Sequence, residues 1–235
     1  MITSIHNEHL KEIRRLARRR GRERSGAFVA EGEDLLAAAD AAGWPAVERF
    51  VAAGSGLEGV EVEPEVLAKV SALGSGTRAL AVYGERWAAP AGPLCVFLHG
   101  VADPGNVGAV LRAAAAFGGG AVVVGPGCAD PFGPRAVRAS MGAIFSVPVA
   151  RADGPGDLPG ERIALVPRAG EALTGPAEHE VTLVVGAERD GLPAEVVAAC
   201  DRTVHIPIAA ESLNAAMAAT IGLYELTRNR MAPHD

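Results

Sequence analysis

From residue 94 onward the chain alternates short, almost wholly apolar runs with amphipathic stretches, and this alternation restricts the possible folds more than any other feature. LCVFLHGV, GAVVVG, FSVPVA, RIALVP, VTLVVGAE and TVHIPI read as strands. NVGAVLRAAAAFG, PRAVRASMGAI, PAEVVAAC and SLNAAMAATIGLYELTRNR read as helices. Strands that are apolar on both faces need cover above and below, so the pattern predicts an α/β fold: a mostly parallel sheet with helices on both faces. Ligands of such sheets lie beyond the carboxyl ends of the strands. Those ends are HGVADPGN, VGPGCADP, GAERDGLP and IPIAAESLN, all rich in Gly, Pro, Asn and Asp.

The stretch before this pattern has a different rhythm. Ser4 would cap a helix running to about Arg20, with Leu10, Ile13 and Ala17 facing a core. SGAFVAEG reads as a strand, and EDLLAAADAAG as a helix ended by Gly43. VERFVAAG is a strand, VEVEPEVLAKVSAL a strand and a helix, and RALAVYGE a strand. GERWAAPAGP reads as a linker, so residues 1–88 form a small α/β domain and 89–235 a larger one.

Net charge is −6, yet residues 1–30 hold eight Lys/Arg against three Glu. That block is +5 and the remainder −11. A basic block on an acidic chain points to a local anion-binding surface. Lys11, Arg15, Arg18 and Arg22 fall on one helical stripe, which either tracks a phosphate backbone or is a solvated face. The three cysteines, Cys95, Cys128 and Cys200, are far apart and lack metal-ligand spacing, the usage of a reduced, cytoplasmic protein. No apolar run reaches the ~20 residues of a bilayer-spanning helix, and the basic N-terminus has no apolar stretch of the secretory type behind it.

Three strand-end constellations carry candidate chemistry. In DPGNVGAVLR, Pro104 and Gly105 make a turn and Asn106 is a helix cap. Gly108, one turn before Arg112, leaves that guanidinium without a bulky neighbour. Asn106 and Arg112 would hold a ribose and its phosphate, or else be an ordinary cap and a surface arginine. The glycines do not form GxGxxG, which argues against a nicotinamide cofactor. In GAERDGL, Gly186 admits a ligand to the backbone. Glu188 and Asp190 have no His or Cys nearby to complete a metal site. In ESLNAAM, Ser212 is a cap candidate and Asn214 sits in the first turn. His205, on an apolar strand, reads as a core or edge histidine rather than a general base.

Taken in order, these segments resemble the SpoU (TrmH-type) family of RNA ribose 2′-O-methyltransferases, within the SPOUT superfamily. The first motif is similar to Asn106-Val-Gly-Ala-Val-Leu-Arg112 through Gly118, and the second to Leu183-Val-Val-Gly-Ala-Glu-Arg-Asp-Gly-Leu192. The third is similar to Ile206-Pro-Ile followed by Ser212-Leu-Asn214 and a helix ending Leu-Tyr-Glu-Leu. Ala139-Ser-Met-Gly-Ala-Ile-Phe145 also matches. Gly26-Ala-Phe-Val-Ala-Glu-Gly32 resembles the small RNA-binding domain of rRNA-modifying members.

The resemblance implies a trefoil-knotted catalytic domain, a homodimer with active sites near its interface, S-adenosylmethionine as cofactor, no metal, and RNA, more rRNA than tRNA, as substrate. It implies that Asn106, Arg112, Glu188, Ser212 and Asn214 shape the catalytic site, and that Gly186, Ile206 and Leu213 contact the cofactor. Arg15, Arg18 and Arg22 would bind RNA. With RNA and cofactor sites on separate domains, removal of residues 1–88 is expected to spare cofactor binding. Three departures stand out. Only Ala-Ala-Glu separates Ile208 from Ser212, Ala187 stands where Asn is common, and ADGPGDLPGE replaces a helix. The alternatives are a non-catalytic RNA-binding protein that keeps the fold and a base-methylating SPOUT enzyme.

Overall fold

The structure, a computed structural model, describes residues 1–72, 74, 76–209 and 212–228. The first unit comprises α1 (Glu8–Leu16), α2 (Arg19–Ser25), β1 (Ala27–Glu31), α3 (Glu33–Ala41), β2 (Ala46–Ala52), β3 (Val60–Val62), α4 (Pro64–Val70) and β4 (Ala79–Gly84). Its four strands lie in the order β1-β4-β2-β3, antiparallel except for the β2–β3 pair. Alternation along the strands sorts the side chains onto two faces. Val29, Phe50, Leu80 and Val82 pack against Leu10, Ile13 and Leu16 of α1 and Val66 and Leu67 of α4. Phe28, Ala81 and Tyr83 face the other way, toward α3 and the second unit.

The second unit runs β5 (Leu94–Leu98), α5 (Pro104–Ala116), β6 (Val122–Val124), α6 (Pro134–Ala139), β7 (Val149–Arg151), β8 (Glu161–Leu165), β9 (Glu171–Ala172), β10 (Val181–Val185), α7 (Ala194–Ala198), β11 (Arg202–His205) and α8 (Ala215–Thr227). The expected parallel sheet is present: seven strands in the order β7-β6-β5-β10-β8-β11-β9, every neighbouring pair parallel. Leu94, Val96 and Leu98 point to the face that carries α5 and α8. Cys95 and Phe97 point to the opposite face, which Leu158 and Val196 cover. In place of a helix in ADGPGDLPGE there is one 3-10 turn, Pro155–Asp157, and buried Leu158 supplies the apolar cover. FSVPVA splits likewise. Phe145 closes a 3-10 turn, and only Val149–Arg151 forms strand.

The N-terminal helix differs from the expectation. Asn7, not Ser4, caps α1, its side chain accepting from the His9 N–H, and the helix ends at Leu16 with Ala17 exposed. The chain then doubles back as α2, so tightly that a Cβ on Gly21 would lie 2.0 Å from the Arg15 carbonyl oxygen. This turn breaks the basic stripe. Arg22 points inward, 4% exposed, and donates to Asp130 Oδ2 through Nε and Nη2 and to the Leu16 carbonyl through Nη1.

The two units share one core. Phe28 packs on Phe132 and Phe145, with ring centroids at 5.0 and 6.0 Å, and Tyr83 and Trp44 pack on Phe145 from the side. Arg138 pairs with Asp34. Trp87, in the expected linker, sits edge-on to Phe132, and Ala88 bridges to Ala150. Removing residues 1–88 would therefore strip the cover from Phe132 and Phe145, each worth about 1.5–3 kcal/mol of burial. The shared core therefore argues against treating residues 89–235 as a unit whose cofactor binding is independent of that truncation.

Candidate active site

A cavity of about 460 Å³ opens beyond the carboxyl ends of β8, β10 and β11. Leu165, Ile206, Ile208 and Leu213 give it apolar walls, and the turn Gly186–Leu192 forms its rim. That turn folds on itself: Ala187 bridges to Gly191, and a Cβ on Gly186 would lie 2.4 Å from the Gly191 carbonyl carbon. Gly186 is thus required by the backbone itself as well as by any ligand that approaches it.

The helix caps lie elsewhere than expected. Asp103, not Asn106, caps α5, its Oδ1 accepting from Gly105 N and Asn106 N at 2.7 and 3.1 Å. Pro104 follows at the first helical position, where its missing N–H is no loss. Asn214, not Ser212, caps α8 through Ala216 N and Met217 N. The Asp-Pro-Gly run carried the signal for the first cap, while Ser and Asn two residues apart left the second open.

Freed from capping, Asn106 bridges the site. Its Nδ2 donates to Glu188 Oε1, and its Oδ1 accepts from Asn214 Nδ2 at 3.0 Å. Residues 82 and 108 positions away in sequence thereby meet at one amide. The partners fix its orientation, because only the NH₂ edge can face a carboxylate. Gly186, Glu188, Ile206, Ser212 and Leu213 all line the cavity. Arg112 does not. It is exposed on α5, with no hydrogen bond or ion pair among the described residues. Gly108 serves a different purpose from the one expected, since a Cβ there would lie 2.3 Å from the Ala136 carbonyl oxygen of α6. It lets two helices touch.

His205 is half-buried at the end of β11 with Nδ1 unpartnered, and it does not line the cavity. Burial pushes the thiol of Cys128, on the loop after β6, above its ordinary value. Sequence reasoning missed the Leu165–Pro167 wall, for which a strand end was the only signal. The short loop before Ser212 includes Ala210 and Glu211, which lie outside the described residues, as do Asn229 and Arg230 of the expected closing helix.

The profile of the SpoU rRNA Methylase family matches residues 93–224, and that of the MRM3-like substrate binding domain matches residues 7–81. The chain belongs to the SpoU rRNA methylase family. An uncharacterized tRNA/rRNA methyltransferase of Synechocystis sp. is 31% identical over 98% of this chain and 94% of its own length. The 23S rRNA (uridine(2479)-2′-O)-methyltransferase of Streptomyces viridochromogenes is 37% identical over 55% of this chain and 50% of its own length. The chain thus spans about half the length of several curated relatives it matches. Among solved structures, the AdoMet-bound rRNA methyltransferase from Sinorhizobium meliloti superposes with TM-score 0.87 and 28% identity, covering 98% of both chains. The SpoU methyltransferase AviRb superposes with TM-score 0.82 and 27% identity, over 95% of this chain and 98% of AviRb.

Proposed function

We propose that this SpoU-family chain transfers a methyl group from S-adenosylmethionine to a ribose 2′-hydroxyl of RNA, with rRNA as substrate. The observation that carries this reading is the Glu188–Asn106–Asn214 chain of hydrogen bonds, joined through Glu188 to the lining of the strand-end cavity. The AdoMet-bound neighbour, similar over 98% of the chain, and relatives named for 2′-O-methylation of 23S rRNA support it.

The cavity residues fit such a cofactor. Leu165, Ile206 and Leu213 offer apolar walls to an adenine, and the backbone at Gly186, Ile206 and Leu213 offers edge contacts. When bound, S-adenosylmethionine supplies a methyl group already activated on a sulfonium. The chain must then align the 2′-oxygen and exclude water. Asn106, held rigid by Glu188 and Asn214, orients the ribose. Ser212, exposed at the cavity edge, supplies a further hydroxyl. Arg112, exposed on α5, offers a planar guanidinium fork suited to a phosphate of the RNA. Its work is to clamp that phosphate and stabilise developing oxyanion charge at the 2′-oxygen.

Residues 1–88 serve as the RNA-binding domain and 89–235 as the catalytic domain, with Arg15 and Arg18 on the exposed basic surface. Arg22 is excluded from that role by its burial against Asp130. The chain works as a homodimer. Met217, Ile221 and Tyr224 form an exposed apolar stripe along α8, 56%, 37% and 55% exposed, and Phe117, just after α5, extends it through contact with Tyr224. A trefoil knot fits the passage of residues 175–177 across the end of α8, where Gly175 N donates to Glu225 Oε1 and Ala177 N to the Leu226 carbonyl. No helix is long and apolar enough to cross a membrane among the described residues, and the site of action is the cytoplasm, where rRNA is. Transfer of tritium from labelled S-adenosylmethionine to unmodified rRNA, followed by mapping of the 2′-O-methyl position, tests the reading. Label on a base, or no transfer to any RNA, would overturn it.

A further inference from the structure

A second cleft, of about 320 Å³, opens on the same edge of the large sheet, beyond β6 and β7. Its walls come from both units: Arg19 of α2, Trp87 of the connection, Pro126 and Asp130 of the loop after β6, and Arg151 at the end of β7. The Arg151 guanidinium carbon lies over the Trp87 ring, 3.6 Å from its centroid. Trp87 is fixed from behind. Its Nε1 donates to Glu85 Oε2 at 2.9 Å, and its edge meets Phe132 at a centroid distance of 5.0 Å. The Arg22–Asp130 pair holds α2 against the same cleft. Arg151 is exposed and forms no ion pair among the described residues.

The cleft adjoins the candidate active site. Adjacent parallel strands lie about 4.8 Å apart, and β6 and β10 flank β5, so their ends are separated by roughly 10 Å. The loops that follow them touch in series. A Cβ on Gly127 would lie 3.2 Å from Gly100 Cα, and one on Gly100 would lie 3.4 Å from Ala187 Cβ. A strand whose target ribose sits at Asn106 would bring a neighbouring nucleotide over this ridge, toward the basic helices α1 and α2.

We infer that the cleft takes the base of a nucleotide flanking the target, stacked on the Arg151–Trp87 pair. Single-stranded RNA is recognised by such stacking on aromatic and guanidinium planes. A guanidinium already seated over a fixed indole needs little further ordering to receive a base. Arg151 is then a positioning and specificity residue that acts before methyl transfer. This inference rests on the RNA-methylating reading, and its test separates the two.

Tryptophan emission is followed as short oligo-A and oligo-U ribonucleotides are added to the full-length protein and to Trp87→Phe. In parallel, KM for unmodified rRNA and Kd for S-adenosylmethionine are measured for wild type, Arg151→Ala and Arg151→Lys. RNA should quench the wild-type emission but not that of Trp87→Phe, which retains Trp44. Arg151→Ala should raise KM for rRNA about tenfold, the scale of losing one stacked base, with most of the loss in KM rather than kcat and cofactor affinity unchanged. Arg151→Lys keeps the charge without the plane and should not restore KM. Full rescue by lysine, or an unchanged KM in Arg151→Ala with emission unmoved by RNA, overturns the inference. Quenching through Trp87 in a protein that methylates no RNA would sustain the cleft and sink the methyl-transfer reading.

Discussion

Asn214 Nδ2 donates to Asn106 Oδ1 at 3.0 Å, which ties the cap of α8 to the first turn of α5. Glu188 holds the other end of the same amide. Asn106→Ala is expected to lower kcat by about 10- to 100-fold, or about 1.4–2.8 kcal/mol of transition-state stabilisation. Asp103 supplies the α5 cap, so thermal unfolding should shift by no more than a few degrees. Asn106→Asp places a second carboxylate beside Glu188 and should be at least as slow. Wild-type turnover in both variants would remove this amide from the mechanism.

Arg22→Ala should destabilise the fold by about 3–5 kcal/mol, because Asp130 is left as a nearly buried, unpaired charge. Arg22→Met combined with Asp130→Asn should recover part of the loss, since asparagine still accepts from Phe132 N. Arg15→Ala removes only an exposed pair with Glu12 and should cost under about 0.5 kcal/mol, while lowering RNA affinity and its salt slope. Chemical denaturation and salt-dependent RNA binding separate the two arginines. Equal stabilities for Arg22→Ala and Arg15→Ala would contradict the assignment.

Arg112→Ala should fold, dimerise and bind S-adenosylmethionine nearly normally, because the side chain is exposed and makes no hydrogen bond or ion pair among the described residues. Methyl transfer should nonetheless fall steeply. Lysine at 112 keeps the charge, loses the bidentate fork and is the easier group to deprotonate. A clamp predicts little rescue at any pH, whereas a base predicts rescue that grows above pH ~9. Single-turnover rates across pH decide between them.

Burial pushes the Cys200 thiol up to about 11. At pH 8 roughly one molecule in 10³ then carries the thiolate. Alkylation by iodoacetamide should rise about tenfold per pH unit through pH 10, and a plateau below pH 9 would contradict the shift. The linkage has a definite sign. The folded state holds this proton more tightly than the unfolded state, so stability falls as pH rises above the ordinary thiol value of about 8.5. Cys200→Ala should keep full methyl transfer.

Met217→Glu and Ile221→Glu place charges on the exposed apolar stripe of α8. Sedimentation should show monomers where the wild type sediments as a dimer, with the monomer still folded, since neither side chain belongs to the buried core. A wild-type chain that is monomeric at micromolar concentration would remove the homodimer from the proposed function.

The amino-acid sequence by itself determined the parallel sheet, through apolar strands that need cover on both faces, and the family, through three motifs in order. It also pointed to the strand ends as the place for Gly186, Glu188, Ile206 and Leu213, because a strand's direction is local information. What it left open depended on contacts between distant residues. Whether Asn106 caps a helix or bridges Glu188 and Asn214 is decided by elements 82 and 108 residues away. Arg22 reads as surface charge on a continuous helix, and only the fold-back at Gly21 turns it toward Asp130. The shared core of the two units was equally hidden. Phe28, Phe132 and Phe145 each look like ordinary apolar residues of their own segment, and only tertiary packing brings their rings together.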